Sequence, residues 1–90
     1  MIALPYTQAA ALAHQIMALT GPDRTAAAEA AVIHHGGTLV PAMPGGSWGP
    51  HYAEISLLGI SHTGDSVETA VANWIKAALR SEAHMEGEAA

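Results

Sequence analysis

The sequence predicts an α+β domain. It reads as a two-layer α/β sandwich in which a small antiparallel sheet of two or three strands is covered by a C-terminal helix, with an alanine-rich helical hairpin in front. Three observations carry this reading. Val67, Ala70, Val71, Trp74, Ile75, Ala78 and Leu79 draw an apolar stripe at helical spacing. His51–Leu58 alternates instead, with Ala53, Ile55 and Leu57 on one side and Tyr52, Glu54 and Ser56 on the other. Before Thr38 the chain is alanine-rich and helical in texture, and it is broken by Gly21-Pro22 and Gly36-Gly37. The expected organisation is one domain over residues 1–80, with a hairpin over 7–35, strands over 38–62 and a helix over 66–80. Residues 81–90 are expected to form a disordered acidic tail.

Each element has a local reason. Thr7 is placed to cap a first helix over Gln8–Leu19, where Leu12, Ile16 and Leu19 share a face, and Gly21-Pro22 is expected to end it. A second helix over Asp23–His35 is built of alanine around Val32 and Ile33 and stops at Gly36-Gly37. Thr38–Met43 reads as a strand, and Pro41 inside it confines that strand to an edge. Gly59 permits a bulge or bend, after which Ile60–His62 continues or pairs as a further strand. Asp65 with Glu68 satisfies a capping box for the last helix, and Ser66 is an equally good cap. Lys76 and Arg80 are expected to complement the negative end of that helix.

Core material is scarce in these 90 residues. Half are hydrophobic, but 20 are alanine, there is no Phe, and the aromatics are Tyr6, Trp48, Tyr52 and Trp74. The lack of cysteine removes disulfides, thiol catalysis and thiolate metal sites, and it suits a reducing compartment. Three cations against eight anions give a formal charge of −5, which argues against nucleic acid as a direct ligand and for a basic partner. Residues 46–90 hold six of the acids, so such a partner should meet that half. No cation precedes the apolar N-terminal stretch, and Pro5, Gln8, His14 and Gln15 interrupt it, so no targeting or membrane segment is expected and the location is cytoplasmic.

Motifs with chemical meaning reduce to simpler readings. Gly45-Gly46-Ser47-Trp48-Gly49 matches a nucleophile elbow in letters, but Pro50 and a strand follow it where that motif needs a helix. Neighbouring His34 and His35 point about 100° apart on a helix and do not chelate together. His51 and His62, with Glu54, lack the spacing of a metal site. No catalytic residue, metal or cofactor is therefore expected. Trp74 belongs to the core, whereas Trp48 either covers one end of the sheet or anchors a partner. The residues expected to contact a partner are Trp48, Tyr52, Glu54, Asp65 and Glu68.

Gly59-Ile60-Ser61-His62, Gly64-Asp65-Ser66-Val67-Glu68, Ala70-Val71-Ala72-Asn73 and Ala77 together resemble the N-terminal domain of HicB-type antitoxins. The resemblance covers about a third of the chain and implies a β-β-β-α fold, related in shape to double-stranded-RNA-binding domains, that neutralises a small RNase toxin. The chain departs from that family in carrying Leu57-Leu58-Gly59 where a Pro-Gly-Cys element stands, and in the helical hairpin. In general character, small, acidic and cysteine-free, it also looks like the anti-CRISPR proteins of phages. The expectation is a non-enzymatic inhibitor of the anti-CRISPR type. It would bind a basic nucleic-acid-handling protein, a CRISPR effector or alternatively an RNase toxin, without touching nucleic acid or membrane, and homodimer formation remains open.

Overall fold

The computed structural model describes residues 5–43 and 52–89, with side chains described over 8–43 and 52–80. Three helices and three strands follow in the order α1 (Pro5–Met17), α2 (Gly21–His35), β1 (Thr38–Val40), β2 (Ala53–Leu57), β3 (Ile60–Gly64) and α3 (Val67–Ala89). The sheet is antiparallel in the order β1-β2-β3. Helix α3 packs on β2 and β3, α2 packs on β1, β2 and α3, and α1 lies mainly against α3. The α+β architecture expected from the sequence is thus present, with the C-terminal helix over the sheet.

Alternation along β2 sorts the sheet into two faces. Ala53, Ile55 and Leu57 are buried beneath the helices, while Glu54 is exposed and Ser56 half-buried on the far side. Cross-strand partners share a face, and Leu39 and His62 flank Ile55 while Ile60 stands opposite Leu57. His62 therefore lies on the helical side, and Glu54, paired with Val40 and Thr63, on the open side. Beneath the helices, Trp74 is fully buried with Ile16, Ile55, Leu57 and Val71, and alanines at 9, 13, 28, 53, 70 and 78 let the backbones approach closely.

Two side chains fasten α3 to the sheet. The Trp74 indole Nε1–H donates to the Leu57 carbonyl at 3.0 Å, satisfying a buried donor, and Asn73 Nδ2 donates to the Thr63 carbonyl at 2.9 Å. Between Leu57 and Ile60 the chain reverses in two residues. Leu58 (φ 51°) and Gly59 (φ 79°) both have positive φ, as a type I′ hairpin turn requires. Gly59 thus makes a tight turn, and the β2–β3 register runs through without a bulge. Gly64 serves a different need: a Cβ there would stand 2.5 Å from the Ala70 nitrogen, so only glycine lets β3 hand over to α3 at this distance.

Several boundaries differ from expectation. α1 begins at Pro5 and ends at Met17, so Thr7 lies inside the helix and is not its cap; proline suits a first helical position because that N–H has no helical acceptor. Gly21-Pro22, expected as a stop, opens α2 after Thr20, with Pro22 in its first turn. The end of α1 closes through the Ala18 and Leu19 N–H groups on the His14 and Ile16 carbonyls, and Arg24 reaches back from α2 to the carbonyls of Met17 (3.1 Å) and, beyond the helix, Leu19 (3.0 Å). α2 ends as predicted at His35, where Gly36 (φ 73°) is left-handed and the Gly37 N–H closes on the Val32 carbonyl at 2.9 Å. β1 stops at Val40, so Pro41 follows the strand. α3 continues to Ala89 through residues read as a disordered tail, which leaves Lys76 and Arg80 in mid-helix and no basic residue in its last turn. Alanine and glutamate at 82, 83, 86, 88 and 89 carry enough helix propensity to extend it.

These two glycines predict different costs. Gly59→Ala meets open space and should cost about 1 kcal/mol of backbone strain alone. Gly64→Ala must push α3 off the strand and should cost clearly more, read as the larger drop in denaturant midpoint at unchanged slope.

Candidate functional site

The face of the sheet away from the helices is largely exposed among the described residues. Across β1, β2 and β3 it presents the rows Thr38–Ser56–Ser61 and Val40–Glu54–Thr63. Ser61 Oγ donates to Ser56 Oγ at 3.0 Å, which fixes the first row. Tyr52 and Asp65 adjoin the last paired residues, Ala53 and Gly64, at the same end of the sheet. Tyr52 is 60% exposed, and Glu54 and Asp65 are exposed. An exposed phenol and two exposed carboxylates thus lie at one end of the hydroxyl-bearing sheet. That grouping suits guanidinium or ammonium groups, which donate charge-assisted hydrogen bonds to carboxylates and sit on the π face of a ring.

Asp65 is free for this because it does not cap α3. Ser66 does: its Oγ accepts the Thr69 N–H at 3.2 Å and lies 3.1 Å from Thr69 Oγ1. The capping box expected from Asp65 and Glu68 is therefore replaced by a serine cap. Glu68 stays exposed in the first turn of α3, near the positive helix end but on the helical layer rather than the sheet face. Of the five residues expected to meet a partner, Glu54 is exposed on β2, Tyr52 and Asp65 adjoin the same end of the sheet, and Glu68 is exposed on α3. Trp48 lies outside the described residues, as do Ser47 and His51. Alternation in β2 placed Ser56 on this face, but sequence reasoning missed Thr38, Ser61 and Thr63; the signal was the strand register, which alternation in β2 alone does not supply.

No family model, curated protein or solved structure matches the chain. The site is thus read from its own chemistry. Among the described residues no group of three or more His, Asp or Glu side chains is placed to hold a metal ion, and no polar or charged residue is buried. His62 and Glu54 occupy opposite faces of the sheet, which separates two of the residues considered for a metal. His34 and His35 meet edge-on with ring centroids 4.8 Å apart, beside an open cleft between α1 and α2 lined by Leu12, Ile16, Leu19, Ala27 and Ala31. No helix among the described residues is long and apolar enough to cross a membrane.

The cap assignment has a direct check. Ser66→Ala should lower stability by about 1 kcal/mol, whereas Asp65→Asn should change it by less than about 0.5 kcal/mol. Thermal unfolding of the two variants compares them.

Proposed function

We propose that this chain is a non-enzymatic inhibitor that covers a basic, nucleic-acid-handling surface of a partner protein with the open face of its sheet, in the manner of anti-CRISPR proteins. The observation that carries the reading is the exposure of Tyr52, Glu54 and Asp65 at one end of the sheet. Lys76 and Arg80 lie on α3 in the other layer, and Arg24 is turned to the carbonyls at the end of α1, so the described part of the face carries acid without a cation. An acidic face of this kind steers a basic partner into register, and the exposed ring adds contact area at small entropic cost. The partner then loses access to its nucleic acid because the same basic surface is occupied.

A HicB-like antitoxin activity is the second reading, and one observation favours it. Several residues that carry the resemblance make the β2–β3–α3 connections: Gly59 in the β2–β3 turn, and Gly64 at the close approach, Ser66 as the cap, Ala70 buried and Asn73 tied to Thr63 at the β3–α3 junction. In this reading the domain occupies the RNA-binding surface of a small RNase.

The deciding experiment captures partners from a host lysate, identifies them, and asks whether a captured basic protein loses its nucleic acid when the chain is added. Tyr52→Ala and Glu54→Gln should each weaken the complex about tenfold or more, and rising salt should weaken the wild-type complex. Affinity that ignores both variants and salt would remove the sheet face from the mechanism. A CRISPR effector as partner supports the first reading, and a small RNase whose cleavage is suppressed supports the second.

A further inference from the structure

A sheet of three strands has two edges, and this one treats them differently. The outer edge of β1 is three residues long and is followed by Pro41, which has no N–H to offer. β3 is five residues long and contains no proline, lysine, acid or bulge, so the usual protections of an edge strand are missing. Its outward backbone groups follow from the hairpin. A two-residue turn makes Leu57 and Ile60 a hydrogen-bonded pair, and alternation then gives the same character to Ile55 with His62 and Ala53 with Gly64. The N–H and C=O groups of Ser61 and Thr63 therefore point away from β2. One of these groups is taken. Asn73 reaches down from α3 and donates its amide Nδ2–H to the Thr63 carbonyl at 2.9 Å, in the place where the N–H of a neighbouring strand would lie.

We propose that the outer edge of β3 is a latent pairing edge for β3 of a second copy of this chain, held shut by the Asn73 amide on the Thr63 carbonyl. The occupant follows from the register. An antiparallel copy related by a two-fold axis at His62 sets Ser61 opposite Thr63 of the second copy, and Thr63 opposite its Ser61. Both pairs have their backbone groups aimed across the edge and exchange N–H···O bonds in both directions. The two inner faces continue into one another on the helical side, and the Ser61 and Thr63 side chains continue the hydroxyl rows of the open face. Asn73 opposes this because its bond is intramolecular, with an effective concentration that a free second copy does not reach at ordinary protein concentration. This inference stands apart from the proposed partner of the sheet face, since it concerns the edge.

Light scattering after size exclusion tests it on the full chain. Wild type should run as a monomer. Asn73→Ala should shift with rising concentration to twice that mass, and Asn73→Asp, which keeps the size but cannot donate to a carbonyl, should do the same. Adding Ser61→Pro to Asn73→Ala removes an outward N–H that the β2 ladder does not use, and should restore the monomer. Circular dichroism confirms that each variant is folded; should Asn73→Ala unfold, Asn73→Asp carries the comparison. A wild-type dimer, folded Asn73 variants that remain monomeric, or a double variant that dimerises as strongly as Asn73→Ala would each overturn the proposal.

Discussion

The burial of one indole organises this fold. Trp74 is the largest fully buried side chain in a core whose other members are mostly alanine and single aliphatics, so the distance from α3 to the sheet is set by a ring rather than by a layer of leucines. A buried indole also needs an acceptor, and it takes the Leu57 carbonyl, the last residue of β2 before the chain turns. Helix and hairpin are therefore positioned by the same contact. Leu58, held at φ 51° in the following turn, accepts an unfavourable backbone conformation while its side chain packs against the core. Gly64 and Asn73 complete the junction from the other end of β3.

Scarcity of apolar volume explains why the other side of the sheet stays open. Burying a large aliphatic side chain stabilises by roughly 1.5–3 kcal/mol, and the chain spends its few such residues on a single interface. A second covered face would need another row of large apolar side chains on β1, β2 and β3. Those positions hold Thr38, Ser56, Ser61, Thr63 and Glu54 instead, with Val40 the one aliphatic among them. The exposed face is thus a consequence of composition, and whatever it binds meets hydroxyls, a phenol and carboxylates rather than a greasy surface.

Much of this was legible in the residues, and the failures have identifiable causes. The stripe from Val67 to Leu79 and the alternation in β2 were decisive because each is long relative to its period, and both place the core correctly. Short polar segments were ambiguous. Asp65 and Ser66 are equally good caps by type, and the choice falls to Ser66 because the backbone enters α3 one residue later. Gly21-Pro22 serves as readily at a helix start as past a helix end, and the tertiary reach of Arg24 to the end of α1 is invisible to any local pattern. The position of His62 beneath the helices followed only from the turn length, since a one-residue change in the hairpin would have moved it to the open face.

Register also decides what the net charge means. A formal charge of −5 spread evenly over a small domain would be screened and would favour no particular surface. Here Glu54 is exposed on β2 and Asp65 directly follows β3 at the same end of the sheet, while Lys76 and Arg80 are carried on α3. Arg24, the remaining cation, spends its guanidinium on the carbonyls that end α1. The asymmetry arises because strand alternation puts Glu54 on the side of β2 away from the helices, while Lys76 and Arg80 are carried on α3. The two-residue turn at Leu58-Gly59 sets the character of the open face as much as the residues themselves do: lengthening that turn by one residue would shift β3 and exchange Ser61 and Thr63 for His62 on that face without changing a single charge.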